Sequence, residues 1–480
     1  MKKIHGLETR TCLFFAIAVI LLLSPFARVS AGTAEAAADK AAENLGRALQ
    51  FKTISFQDAS QVDAAEFKAF HAFLEKTFPL VHKNLTKELV NNLGLLYTWK
   101  GSDASAKPII FLAHIDVVPI APGTMKDWTY PPFEGKVADG FIWGRGTMDC
   151  KGDLMALMEA VEALLAQGYR PRRTVYLAFG QDEEVGGDNG AGKIAALLKS
   201  RGVSAEFVND EGGMIVDGKM LGVNKPLAMV GIAEKGYLSL ELKVKTKGGH
   251  SSMPPKETAI GVLAAAIVKL EKNPFPARVA GVPEMTFKSL APELPSAMKF
   301  AAKNVRLFSG LLKGYLAKNY ITNAMIRTTI APTIINAGTK ENVLPQEARA
   351  VVNFRLLPGD SMGYVTGRVK KIINDPRVTV EPIGKANEAS IISDLNSEGY
   401  KILKRTIAEV FPDTVTAPML VLGGTDSKHF EQVSDSLFRF APIRVGTEDQ
   451  ERGHGTNERV SVSNYGELIK FYTRLIRNSD

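Results

Sequence analysis

FLAHIDVVP, residues 111–119, begins as a buried strand and then sets His114 and Asp116 two positions apart. Alternate residues of a strand share a face, so the two polar side chains point the same way out of an apolar run. An imidazole and a carboxylate together at the end of a core strand mark a candidate site and raise the question of what needs them.

The chain on either side alternates strand and helix. LMALMEAVEALLAQG (154–168) places Leu154, Leu157, Met158, Val161, Leu164 and Leu165 on one helical face, with Gly168 as the stop. TVYLAFG (174–180) reads as a strand, 189–200 as a helix and AEFV (205–208) as a further strand. Strands separated by helices predict a mainly parallel sheet flanked by helices, an α/β fold. Upstream, 34–80 reads as helical, with His71 and His82 as ordinary helix residues.

Near 234 the rhythm changes. YLSLELKVKTKG (237–248) alternates like a half-exposed strand; a helix (257–272), strands at 332–338 and 348–358, a helix (361–375) and a strand (377–383) follow. That order predicts a ferredoxin-like α+β domain inserted over 234–384, with an extra, apolar helical stretch at 274–325. The first domain then comprises 32–233 and 385–480.

Residues 1–31 form a three-part leader: Lys2, Lys3 and Arg10, an apolar run from Cys12 to Leu23, and a small-residue exit ending at Ala31. This predicts export to a periplasm or the exterior. The apolar run is shorter than the roughly 20 residues that span a bilayer, so a retained anchor facing outside, a membrane association through the N-terminus, is the alternative. The 480-residue chain carries +8, falling to +5 without the leader, and its basic residues are interspersed with acids, which argues against a nucleic-acid partner. With Cys12 and Cys150 as the two cysteines, the mature protein has no intrachain disulfide, and Cys150 reads as packing rather than as a nucleophile.

Ligands of open α/β sheets gather beyond the carboxyl ends of the strands, and the unusual polar residues fall there. Asp149 lies in WGRGTMDCKGD (143–153), Glu183 and Glu184 follow TVYLAFGQD, and Asp210 and Glu211 follow AEFVN. Each alone is an N-cap or a surface acid; together, in glycine-bearing loops, they form a set. Imidazole and carboxylate without a thiolate suit zinc, and the number of acids is too large for one ion, so two metals sharing a carboxylate is the economical solution. A further imidazole comes from His250, His429 or His454.

AHIDVVP, WGRGTMDCKG, DEEVGG, NDEGG, GGHSS, ENVLP, VNFRLLPGD, GGTDS and HGTNE, in this order over residues 45–478, resemble the dinuclear zinc exopeptidases and amidohydrolases that include carboxypeptidase S, aminoacylase and glutamate carboxypeptidase. The extra stretch and NAMIRTTIAPTIINAGTKENVLP after it are most similar to the carboxypeptidase S branch, which also holds hydrolases of N-fatty-acyl amino acids. The resemblance implies two Zn²⁺ ions, with cobalt or manganese as substitutes, held by His114, Asp149, Glu184, Asp210 and His454, with Asp149 bridging and Glu211 as the alternative to Asp210. It implies that Asp116 orients His114, that Glu183 is the general base, and that the Asp149–Cys150 bond is cis. It also implies that the inserted domain, 234–384, is a lid, and that His250 on it stabilises the oxyanion, in some members across a homodimer formed through this lid. Asn342 and Arg355 would hold the substrate's carboxylate, with the backbone of Gly423 and Gly424 beside them, and His429 would be structural. The expected activity is a metallocarboxypeptidase on short peptides; the alternative is an amidohydrolase of N-acyl amino acids. A non-catalytic scaffold on the same fold is the rival from another class, and the complete ligand set with Glu183 argues against it.

Overall fold

The structure, a computed structural model, describes residues 38–480 except Thr447 and Gln450. The leader lies outside the described residues. Among those described, no helix is long and apolar enough to cross a membrane.

A ten-stranded mixed sheet forms the body of the molecule. At its centre, Val175–Gly180, Ile109–His114, Phe207–Asp210 and Leu437–Arg439 are neighbours and all parallel. Antiparallel strands Thr86–Val90 and Gly94–Trp99 flank them on one side. On the other side lies Pro226–Glu234, antiparallel to Leu437–Arg439 and parallel to Val415–Val421. The chain after 386 therefore re-enters the first sheet.

The Ile109–His114 strand is buried on both faces, and its side chains divide by parity. Ile109, Phe111 and Ala113 pack into one core with Leu154, Leu157, Met158 and Val161 of the Lys151–Ala166 helix and with Leu468, Phe471 and Tyr472 of Val462–Asn478. Ile110 and Leu112 join Ile194, Ala195 and Leu198 of the Ala191–Ser200 helix on the other face. Fully burying each such side chain stabilises by about 1.5–3 kcal/mol, and the two-sided demand explains the unbroken apolar run before His114.

A second, four-stranded antiparallel sheet has the order Thr329–Ala337, Glu347–Leu356, Gly236–Lys245, Val378–Asn387. The Ala259–Lys272 and Met362–Ile373 helices cover one face of it, packing on Leu238, Leu240, Leu242, Ala350, Val352 and Phe354. This is the ferredoxin-like arrangement. Glu234 ends a strand of the first sheet and Gly236 begins one of the second. A side chain at Gly236 would meet Ala389 N at 2.6 Å, so the outgoing and returning crossings lie against each other. The extra stretch is helical, with Val282–Leu290, Ser296–Lys303, Ser309–Leu316 and Tyr320–Met325.

The segment 34–80 is not one helical run. Within it, helices cover 38–48, Ala64–Thr77 and Pro79–Asn84, and the chain between the first two is irregular. Buried Lys151 draws on that break, donating to the carbonyls of Ala48 (3.3 Å) and Phe51 (2.6 Å). Asp63 restarts the helix by accepting from Ala65 N–H.

Candidate metal centre and active site

Strand register explains how four loops converge. His114 pairs with Gly180, so Glu183 and Glu184, just beyond Gly180, lie next to it. Phe111 pairs with Asn209, which brings the end of Phe207–Asp210 to the same edge. Asp149 comes from the loop before Lys151–Ala166, and the Asp149–Cys150 bond is cis. His454 arrives because the Arg459–Ser461 strand pairs with Phe141–Trp143, setting the loop that precedes the first beside the loop that follows the second.

The side chains meet on Asp149. His114 Nε2 lies 2.8 Å from Asp149 Oδ1, and His454 Nε2 lies 2.9 Å from Asp149 Oδ2. Glu211 Oε1 is 3.1 Å from His114 Nε2, and Glu184 Oε2 is 3.0 Å from His454 Nε2. Two imidazoles thus share one carboxylate, and each has a glutamate of its own. Asp210, favoured from the sequence, is not in this set. It ends the strand with its carboxylate turned inward, accepting N–H groups of Ser427 (2.7 Å) and Glu211 (2.9 Å), and the next residue, Glu211, turns out to meet His114.

Asp116 is completely buried beside His114, but its carboxylate is not the imidazole's nearest partner. The strand ends at His114 and the chain turns, bringing the Asp116 main-chain oxygen to 2.9 Å from Nδ1 while carboxylate Oδ1 stays at 3.4 Å. The carboxylate instead accepts from Ser55 Oγ (2.6 Å) and from the N–H groups of Glu183 (3.1 Å) and Glu184 (3.2 Å). It therefore ties the double-glutamate turn to the end of the His114 strand.

Burial raises Glu183 and Glu211 well above the usual carboxylate range, and nearby Asp149 adds to the effect. Burial also raises Glu184, while its contact with His454 opposes the rise. Hydrogen bonds to Asp149 and Glu184 hold His454 at about 10. Burial opposes charge on His114, yet its neighbours, among them Cys150, Glu211, Asp116 and Asp149, lift it well above its ordinary value. The cluster crowds acids around two imidazoles, and Glu184 Oε1 is buried without a hydrogen-bond partner. Such a set fits divalent cations: His114, Asp149 and Glu184 each offer a donor atom, all within 4.8 Å of one another, as do His114, Cys150 and Glu211. Cys150 contributes little to the second group, because burial pushes its thiol well up and its sulfur already accepts His114 N–H at 3.0 Å.

The remaining predicted residues lie elsewhere. His250 and Asn342 are brought together on the lid, where Gly249–His250 pairs with Val343–Leu344 and Ser251 N–H donates to the Asn342 carbonyl. His250 is exposed and contacts Ser252 Oγ at 2.7 Å. Arg355 stands on the lid sheet's face away from its core, its guanidinium 4.7 Å from the centre of the Tyr237 ring. No hydrogen bond or ion pair among the described residues joins His250, Asn342 or Arg355 to the His114 cluster. Gly423 and Gly424 form an exposed turn after Val415–Val421. His429 Nε2 contacts the Gly186 carbonyl at 3.0 Å, bracing the glutamate turn.

Three side chains escaped sequence reasoning. Glu458 is fully buried and accepts from the N–H groups of Gly146 (3.0 Å), Met148 (2.8 Å) and Asp149 (3.2 Å) and from Arg145 Nη1 (2.6 Å). Arg145 Nη2 in turn reaches the carbonyls of His454 (3.1 Å) and Gly455 (2.9 Å). The position of Glu458 four residues after His454 was the available signal. Asp426 is buried with neither carboxylate oxygen hydrogen-bonded, and burial raises it well above its usual range. A side chain at Gly187 would lie 2.0 Å from Asp426 Oδ1, so that glycine is required by the close approach as well as by its φ of +73°.

Comparison with known proteins agrees with the geometry. The model of Peptidase family M20/M25/M40 matches residues 110–478. The chain is 43% identical over 443 residues to probable carboxypeptidase S-like 2 of Dictyostelium discoideum, covering 92% of this chain and 85% of that one. It is 44% identical to the N-fatty-acyl-amino acid synthase/hydrolase PM20D1 of Bos taurus (91% and 87% covered) and 33% identical to carboxypeptidase S of Saccharomyces cerevisiae (91% and 83%). Among solved structures, the fold is similar to an M20 family metallo-carboxypeptidase from Sulfolobus solfataricus, with a TM-score of 0.64, 19% identity and 91% and 98% of the two chains covered. It is likewise similar to human carnosine dipeptidase 1, with a TM-score of 0.67, 17% identity and 93% and 97% covered.

Proposed function

The chain belongs to peptidase family M20/M25/M40, and from that premise we propose that it is a zinc-dependent metallocarboxypeptidase hydrolysing the amide bond next to a free C-terminal amino acid in short peptides. The observation that supports this most is the meeting of His114 and His454 on the two oxygens of Asp149. In this reading His114, Asp149, Glu184, Glu211 and His454 would hold two zinc ions. Zinc bound there would supply a Lewis acid for the scissile carbonyl and a lowered pKa for the attacking water.

The chain's own residues do the rest. Glu183, in the turn held by Asp116, takes a proton from the attacking water and delivers it to the leaving nitrogen as the C–N bond breaks, yielding a carboxylic acid and a free amine. His250 donates to the developing oxyanion. Arg355 and Asn342 hold the substrate's carboxylate, a task suited to guanidinium geometry, with the Gly423 and Gly424 backbone alongside. Because His250 and Asn342 stand on the exposed arm of the lid, the lid has to approach the His114 cluster or a second copy has to supply them. A homodimer through the lid, residues 234–384, would meet that need, and the exposed Ile334 and Ile335 on its edge strand favour it. The leader supports export with removal after Ala31.

A second reading, hydrolysis of N-acyl amino acids including fatty-acyl ones, is favoured by the 44% identity to the bovine N-fatty-acyl-amino acid enzyme. One experiment tests both: hydrolysis, by purified zinc-loaded protein, of a dipeptide, of the same terminal residue bearing a long fatty-acyl amide, and of the dipeptide with its carboxylate blocked. Preference for the dipeptide and loss on blocking support the carboxypeptidase. Preference for the fatty-acyl compound replaces it with the amidohydrolase, and no turnover with two metals bound overturns both in favour of a scaffold.

A further inference from the structure

The extra helices of the lid have two apolar faces, of which folding uses one. In Ser309–Leu316, Leu312 and Leu316 turn inward and pack with Val279, Val305 and Ile326. Leu311 and Tyr315, spaced i,i+4 on the opposite face, are 75% and 68% exposed, and Leu307, one turn earlier, is 75% exposed. Phe300, 58% exposed on the preceding helix, extends the face through its ring contact with Phe308, centroids 5.8 Å apart. Single exposed apolar residues are ordinary; a row of them on adjoining helices is the pattern of a docking face.

The charge around this face is one-sided. From Leu294 through Lys340 the chain has seven Lys or Arg residues and no Asp or Glu. Lys303, Arg306 and Lys318 are exposed, and Lys299 and Lys313 half-buried. Arg306 lies 3.5 Å from Glu284 of a neighbouring helix while staying 90% exposed; among the described residues the other four form no ion pair. Bulky apolar side chains with unneutralised cations on short surface helices are what an anionic lipid surface recognises, the apolar residues entering the headgroup boundary and the cations meeting the phosphates.

We propose that the 296–318 face docks this protein onto an anionic lipid bilayer. All three native tryptophans, Trp99, Trp128 and Trp143, are buried, so Tyr315→Trp places a reporter on the face. With the full-length protein, emission of this variant is expected to fall about twofold or more with brominated phosphatidylcholine–phosphatidylglycerol vesicles and to stay unchanged with brominated phosphatidylcholine alone. The quenching should vanish at high salt and on adding Lys303→Glu, Arg306→Glu and Lys318→Glu, while turnover of a soluble substrate is retained. No quenching with either vesicle, or equal quenching with both, overturns the proposal. So does lipid-independent self-association abolished by Leu307→Ser with Leu311→Ser, which would make the face a contact between two copies.

Discussion

Glu458 accepts the backbone N–H of Asp149 at 3.2 Å across a sequence separation of 309 positions. The same carboxylate pairs with Arg145, whose guanidinium reaches the His454 carbonyl. One buried ion pair therefore clasps the loop bearing Asp149 to the loop bearing His454. Glu458→Gln keeps the shape and removes the charge, leaving Arg145 buried and uncompensated. Breaking such a pair costs about 3–5 kcal/mol, and metal affinity should fall roughly 10–100-fold. Thermal melts and zinc titration check this; a variant with normal zinc affinity would remove Glu458 from the support of the site.

Glu183→Ala should retain fold and bound zinc and lose turnover by about 10²–10⁴-fold. Metal content and kcat measured on one preparation decide it, and near-normal kcat would sink the assignment of Glu183 as the base.

Glu211 and Asp210 are adjacent, yet Glu211 meets His114 while Asp210 accepts from Ser427. Glu211→Gln is expected to lower the zinc bound per chain, and Asp210→Asn to leave the stoichiometry intact while lowering stability. The reverse pattern, by elemental analysis of dialysed protein, would restore Asp210 as the ligand.

His71 offers a pH test away from the metals. Burial and nearby Lys87 hold its imidazole at about 4 in the folded chain, against about 6.5 when unfolded. The unfolded state therefore binds the proton more readily below pH ~6.5, so stability is full above that value and declines as pH falls toward 4. The loss should reach up to about 3 kcal/mol. His71→Gln should flatten this part of the curve, and denaturant midpoints at successive pH values across that range report it. An identical acid-side decline in the variant would refute the contribution.

Much of this architecture was legible because periodicity records burial. The run before His114 is apolar without interruption since helices cover both faces of its strand, whereas Glu347–Leu356 alternates since one face of its sheet is covered. Apolar periodicity said less about the irregular chain at 51–62, which opens with the Phe51 carbonyl that buried Lys151 bonds. Short Leu437–Arg439 carried no periodic signal of its own, although it lies between Phe207–Asp210 and Pro226–Glu234.

By itself, the sequence determined the two kinds of sheet, the edge at which polar loops gather, and the residue types suited to divalent metal. Tertiary structure alone decided which of two adjacent acids faces His114, which part of Asp116 touches the imidazole, and which buried pair clasps the loops. These depend on the direction a side chain takes once the backbone leaves the strand, and on contacts between residues hundreds of positions apart. Residue type and spacing fix neither, since a rotation of one residue past a strand end exchanges the acid that meets His114 for the one that accepts from Ser427.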